Sequence, residues 1–171
     1  MKIIGIDVGL RVTGYAVMEV KGISKLPVLL TSGVYSTTPG LSLSKRLKEL
    51  YLGMKHLMQK EAPEVAVYET IFYKKNPKTF SLLAQARGVL LLVAEELGIK
   101  VEEYTPAEIK QTISGSGRAS KYQVHGMVKR LLGVNIPGAS DIGDAVACAL
   151  CYSSRNVGHG THGWEDEKGA I

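Results

Sequence analysis

The chain has 171 residues, 45% of them hydrophobic and 22% charged, with a formal net charge of +5. This length and composition suit one globular domain with its own core. They exclude a membrane-spanning protein, because no apolar run approaches the roughly 20 residues that a membrane helix needs. Without a secretory signal, a cytoplasmic location is expected, and the basic balance favours a polyanionic partner.

The opening segment, Met1 to Val17, predicts a β-hairpin. A β-branched apolar run around Ile4 is typical of a buried strand, Gly9 suits a turn, and an extended pattern resumes at Val12. Asp7 interrupts the run. It either caps the turn by a local hydrogen bond or needs a cation, since an unmatched buried carboxylate costs several kcal/mol.

The remaining pattern predicts an α/β fold with a mixed five-stranded sheet, three antiparallel strands followed by parallel ones, and helices on both faces. Residues 1–155 are expected to form one domain and 156–171 a flexible Gly-rich tail. Three further strands are predicted after the hairpin, at Val28–Val34, Val65–Glu69 and Ile99–Tyr104. The predicted helices run from Ser42 or Ser44 to Pro63, from Asn76 to Leu97, from Thr105 to Thr112, from Ser120 to Leu132 and from Ser140, which is expected to cap the last helix.

Two further features concern packing. The middle of the helix from Asn76 is apolar on more than one face, which suggests a second contact surface and, as a hypothesis, a homodimer. Cys148 and Cys151 lie on an apolar helical face. They are interpreted as reduced core thiols, with a metal or redox site involving His159 and His162 as the alternative.

Four carboxylates stand out. Asp7 and Glu69 lie on predicted strands, and Asp141 and Asp144 lie three residues apart at the start of the last helix. If the strands are neighbours, all four share one pocket, and their repulsion requires cations; oxygen ligands favour Mg²⁺ or Mn²⁺. Individually, Glu69 could pair with a nearby lysine, and Asp141 could serve only the helix terminus. Jointly, the set favours two-metal phosphodiester hydrolysis.

Five segments in this order resemble the RuvC-type Holliday-junction resolvases of the RNase H-like superfamily: GIDVGLRVTGYAV, VYETIFYKKNPKT, QARGV, KQTISGSGRASKYQVHGMV and ASDIGDAVACAL. The resemblance covers nearly all of Met1 to Ser153. It implies a homodimeric, Mg²⁺-dependent endonuclease of DNA recombination and repair that nicks a four-way DNA junction symmetrically and leaves 5′-phosphate and 3′-hydroxyl ends. A branch-migration helicase complex is a further partner implied by the family.

The resemblance also assigns residues. Asp7, Glu69, Asp141 and Asp144 match the four metal-binding acids. Lys110 and Lys121 match basic residues near the scissile phosphate, with an exposed helix lysine as the alternative for Lys110. Phe72 matches an aromatic residue that contacts bases, with core packing as its alternative. Contacts with DNA are expected from Phe72, Tyr73, Lys74, Lys75, Lys78, Arg118 and Lys121.

One position departs from the family pattern: Val8 stands where many members have proline, which puts only the rigidity of the turn in doubt. Three alternatives remain open. An actin- or Hsp70-like phosphotransferase would need two such domains. A different RNase H-like nuclease could act on other branched DNA or on an RNA–DNA hybrid. The third alternative is a junction-binding module that has lost catalysis. Such a module would have no reason to keep clustered acids, whose mutual repulsion is costly.

Overall fold

The computed structural model describes residues 1–22, 27–71, 76–133 and 140–156. The strands are short and largely apolar, as the sequence pattern predicts. They are β1 (Lys2–Asp7), β2 (Val12–Glu19), β3 (Val28–Ser36), β4 (Val65–Glu69) and β5 (Lys100–Tyr104).

These strands form one five-stranded sheet in the order β3-β2-β1-β4-β5. The pairs β1–β2 and β2–β3 are antiparallel. The pairs β1–β4 and β4–β5 are parallel. The predicted mixed sheet is therefore confirmed, and β1 and β4 are its central pair.

Five helices complete the described part of the fold, in the predicted chain order. They are α1 (Leu43–Glu61), α2 (Pro77–Glu96), α3 (Pro106–Ser114), α4 (Lys121–Leu132) and α5 (Ser140–Asn156).

Local capping signals explain where most helices begin. Asn76 accepts hydrogen bonds from the backbone of the first turn of α2, and Pro77 follows at the first helical position. Capping boxes headed by Thr105 and Ser120 open α3 and α4. Helix α3 is longer than predicted and continues to Ser114, where the left-handed Gly115 ends it. Strand β3 likewise extends to Ser36 instead of Val34. Ser140 lies in α5, and the residues directly before it are outside the described ranges.

The helices cover the sheet on both faces, as expected. Helices α3, α4 and α5 share one core cluster with the sheet. Helices α1 and α2 share the other. Cys148 and Cys151 are buried free thiols on α5, which confirms their assignment to the core. Within the described ranges, no helix combines the length and the apolar character needed to cross a membrane.

Candidate active site

The two central strands bring Asp7 and Glu69 together. In the parallel β1–β4 register, Ile6 lies opposite Tyr68, and each strand ends at the next residue. Asp7 and Glu69 therefore lie side by side at the carboxyl edge of the sheet, an edge where α/β proteins commonly place their ligands.

Helix α5 brings the other two acids to this edge through a very close contact with the sheet. Gly14 is the β-partner of Asp7. A Cβ on Gly14 would overlap the carbonyl oxygen of Asp141, and a Cβ on Gly5 would overlap that of Ala145. Only glycine allows the helix backbone to approach the strands so closely. The first turn of α5 is thereby held beside Asp7.

The electrostatics show that the acids form one cluster. The pKa of Asp7 is raised to about 7, mainly by burial and then by the negative charges of Asp144, Asp141 and Glu69. Lys121 acts in the opposite direction, lowering it. A carboxyl with such a pKa lies where negative charge is poorly compensated, so the arrangement favours an added cation.

A cavity of about 630 Å³ opens over this cluster. The lining includes both lysines assigned from the sequence and three of the acids: Asp7, Glu69, Asp144, Lys110 and Lys121. Of the two lysines, Lys121 forms an ion pair with one of these acids, Asp144. Asp141 contributes its charge to the cluster but does not line the cavity.

The cavity also extends along α2, which sequence reasoning did not associate with the acids. The lining residues on that side are Asn76, Thr79, Phe80 and Leu83.

Asp144 has two cationic or polar partners, both from α4. Lys121 Nζ forms an ion pair with Oδ2. His125 Nε2 lies 2.8 Å from Oδ1. Burial lowers the pKa of Lys121, but the hydrogen bond and charge of Asp144, with Asp7 and Asp141, raise it overall. Sequence reasoning missed His125; its signal was the four-residue spacing from Lys121 on one helix face.

The donor chemistry suits a hard divalent cation, because the acids offer carboxylate oxygens and the positive charge of Lys121 only partly offsets the negative charge around Asp7. In the described ranges, however, no three His, Cys, Asp or Glu side chains are grouped closely enough to hold one ion in common. Lys121 and His125 occupy the two oxygens of Asp144. A cation shared by these acids would compete with Lys121 for Asp144.

The other residues that the sequence predicts to contact DNA are not part of the described cavity lining. Lys78 and Arg118 are exposed and outside the cavity lining. Phe72, Tyr73, Lys74 and Lys75 lie outside the described residues. Their flanking neighbours Ile71 and Asn76 both line the cavity.

Comparison with known proteins gives a consistent result. The sequence profile of the family described as crossover junction endodeoxyribonuclease RuvC matches residues 3–152. The chain belongs to the RuvC family.

Individual relatives agree with this assignment. The crossover junction endodeoxyribonuclease RuvC of Caldanaerobacter subterraneus subsp. tengcongensis is 40% identical over 157 residues, covering 91% of this chain and 94% of the relative. That of Bordetella avium is 41% identical over 153 residues, covering 90% and 83%. The Thermus thermophilus RuvC solved in complex with a Holliday junction substrate superposes with a TM-score of 0.83 at 31% identity, covering 90% of this chain and 93% of the other.

Proposed function

We propose that this chain is a divalent-metal-dependent endodeoxyribonuclease that resolves four-way DNA junctions in the cytoplasm during recombination and repair. The observation that carries the proposal is one acidic cluster in a chain of the RuvC family: Asp7, Glu69 and Asp144 line the cavity, and the charge of Asp141 acts on Asp7. Two lysines face the same cavity. Carboxylates that can hold divalent cations, together with positively charged lysines, suit hydrolysis of a phosphodiester.

Asp7, Glu69, Asp141 and Asp144 are the residues that would hold Mg²⁺, with two ions per site and Mn²⁺ as a substitute. The chemistry that such ions supply is activation of the attacking water and stabilisation of the leaving oxygen. The raised pKa of Asp7 supports this role, since a nearby cation would restore its ionised form at neutral pH.

Lys121 and Lys110 act on the phosphate. Both line the cavity, and the pKa of Lys121 is raised, so its side chain is protonated at neutral pH. A positive charge held at this place offsets the negative charge that develops on the phosphate during in-line attack. When the phosphate or a cation enters, the Lys121 ammonium can exchange its partner Asp144 for the phosphate oxygens.

The DNA is expected to cross the cavity mouth between α2 and the loop before α4. Lys78 and Arg118 are exposed near the starts of these two helices. Phe72, Tyr73, Lys74 and Lys75 belong to the same proposal, because the residues on both sides of this segment line the cavity. Phe72 would stack on bases at the opened junction.

A homodimer completes the proposal, because two sites related by a two-fold axis match a substrate with two-fold symmetry and place two symmetric nicks. Leu92 on α2 is 53% exposed although it lies in an apolar helix. We expect a dimeric mass at micromolar protein and a monomeric mass for Leu92→Asp. Val28→Asp, at an equally exposed position (55%) on β3, is the matched control and should stay dimeric. A monomeric wild type would exclude the dimer.

Association with a branch-migration helicase is also proposed, on family membership alone.

The experiment that tests the function compares substrates. The chain is incubated with Mg²⁺ and a four-way junction, a linear duplex or an RNA–DNA hybrid, and the products are treated with ligase. We expect paired nicks in the junction only, with ends that ligase seals. Asp144→Asn should abolish cutting, whereas the control Glu95→Gln, at an exposed acid of α2, should not. Preference for the hybrid or the duplex would instead indicate a different RNase H-like nuclease.

A further inference from the structure

The imidazole of His125 contacts a proposed metal ligand, Asp144, and the proposed mechanism gives it no role. It lies on α4, one helical turn after Lys121, and both side chains reach Asp144. The ring Nε2 is 2.8 Å from Oδ1, whereas Lys121 takes Oδ2. An ionised carboxylate only accepts hydrogen bonds, so Nε2 carries the hydrogen and donates it.

The ring of His125 fits against the backbone of α5. A Cβ added to Gly143 would lie 2.8 Å from both Cε1 and Nε2 of the ring. Any other residue at this position would push the ring away from Asp144. The absence of a side chain at Gly143 therefore allows the imidazole to reach the neighbouring acid.

The two partners of Asp144 differ in how firmly they are held. The Lys121 side chain is 52% exposed and ends a flexible four-carbon stem, so it can move to another anion. The His125 side chain is 24% exposed and has two rotatable bonds, and the α5 backbone restricts its ring on one side. His125 is thus the partner suited to keep Asp144 in one orientation when Lys121 moves.

We propose that His125 is a positioning residue that orients Asp144 toward the divalent cation, and that Gly143 is required for this contact. The proposal rests on the proposed function, which makes Asp144 a metal ligand. Hydrogen-bond partners behind metal ligands fix the ligand orientation, and their loss typically weakens metal affinity by roughly 10- to 100-fold.

The first test is equilibrium binding of Mn²⁺ alone to the full chain by calorimetry. His125→Ala should raise the dissociation constant roughly tenfold. His125→Gln keeps an amide donor within reach of Oδ1 and should stay within about threefold of wild type. His56→Ala removes an exposed histidine of α1 and is the matched control, with no expected change. In junction cleavage, His125→Ala should raise the Mn²⁺ concentration for half-maximal rate and leave the KM for junction DNA unchanged.

The second test uses Gly143→Ala. In wild type the added Cβ displaces the ring, so Mn²⁺ binding should weaken about as much as in His125→Ala. In the His125→Ala background there is no ring to displace, so Gly143→Ala should add nothing. Equal weakening in both backgrounds would mean that α5 itself moves, and would overturn the assignment of Gly143.

Wild-type Mn²⁺ affinity in folded His125→Ala, with normal cleavage, would overturn the role of His125 and leave the nuclease proposal standing. Failure of the wild-type chain to bind Mn²⁺ or to cut junctions would instead remove the proposed function itself. Should His125→Ala not fold, His125→Gln and Gly143→Ala still decide the question, since the first must preserve Mn²⁺ binding and the second must weaken it.

Discussion

The two faces of the sheet meet their helices in different ways. On the α5 face, Gly5 and Gly14 bring strand backbone directly against the helix backbone near Ala145 and Asp141. On the opposite face, large side chains from α1 and α2 separate helix from sheet. Those that are fully buried there include Leu50, Met54, Met58 and Leu90.

This difference explains why the acids gather on one face. A backbone-to-backbone contact has almost no freedom to adjust, so it fixes the first turn of α5 relative to β1 and β2. An interface filled by leucine and methionine can repack after a change of shape. Asp141 and Asp144 depend on the first kind of contact, and the α1–α2 layer supplies stability by the second.

Asp7→Asn should have the largest effect on cleavage. The amide keeps the shape of the side chain but removes a proposed ligand of the cation, so junction cutting should fall at least about 1,000-fold, which corresponds to roughly 4 kcal/mol in activation free energy. Junction binding and folding should be preserved. The measurement is single-turnover cleavage beside a mobility-shift titration, and rapid nicking by the variant would remove Asp7 from the site.

Gly5→Ala should come next, because the added Cβ overlaps the backbone of α5 at Ala145 and Ala149. Overpacking of this kind costs about 1 to 3 kcal/mol in the free energy of unfolding. Since α5 must shift, cleavage should also fall, by roughly tenfold or more, at a temperature where the variant is folded. Gly126→Ala, at an exposed helical glycine with open space around it, is the control and should be neutral or slightly stabilising. Equal behaviour of the two variants would contradict the rigid contact.

The free energy of unfolding should depend on pH, because the folded chain disfavours the charged form of Asp7. Its pKa is about 7 in the folded chain and 3.8 in a model peptide, so the protonated form is favoured by folding. Between about pH 4 and 7 the unfolded chain releases this proton and the folded chain does not, and stability therefore falls as the pH rises.

In EDTA, the Asp7 carboxyl should lower the free energy of unfolding by on the order of 2 kcal/mol between pH 5 and pH 8. Asp7→Asn should remove this decrease. Saturating Mg²⁺ should reduce it in wild type. The measurement is urea unfolding at several pH values. An identical pH profile for wild type and Asp7→Asn would show that Asp7 titrates normally.

Leu90→Ala should have the smallest effect on the site. Leu90 is fully buried on the α2 side, so the truncation should cost about 2 to 4 kcal/mol of stability. Because α5 does not depend on this layer, cleavage by the folded variant should stay within about threefold of wild type. A loss of cleavage as large as that of Gly5→Ala would mean that both faces position the acids.

The parts of the fold that depend on local chemistry could be predicted from the sequence. Capping by Asn76, Thr105 and Ser120 uses residues within one helical turn, and the structure has each of these helices where the signal places it. The end of α3 was missed by two residues because Ser114, which bonds back to Lys110, also reads as a loop residue.

The site depends on long-range contacts, and these were only partly visible. The parallel pairing of β1 and β4 follows from the predicted topology and brings Asp7 beside Glu69. The contact of His125 with Asp144 depends instead on how α4 packs over Gly143, a residue that the sequence gives no reason to single out. The pairing of Lys121 with Asp144 was equally hidden, because both residues were assigned separately to phosphate and metal.

The most direct test of the central claim is anomalous diffraction from crystals soaked in Mn²⁺. We expect a peak at the carboxyl edge of the sheet, within coordination distance of carboxylate oxygens of Asp7 and Glu69 and within reach of Asp144. The same crystals of Asp7→Asn should show a much weaker peak or none. A saturating soak that yields no peak at these acids, or a peak at another place that survives Asp7→Asn, would contradict the account.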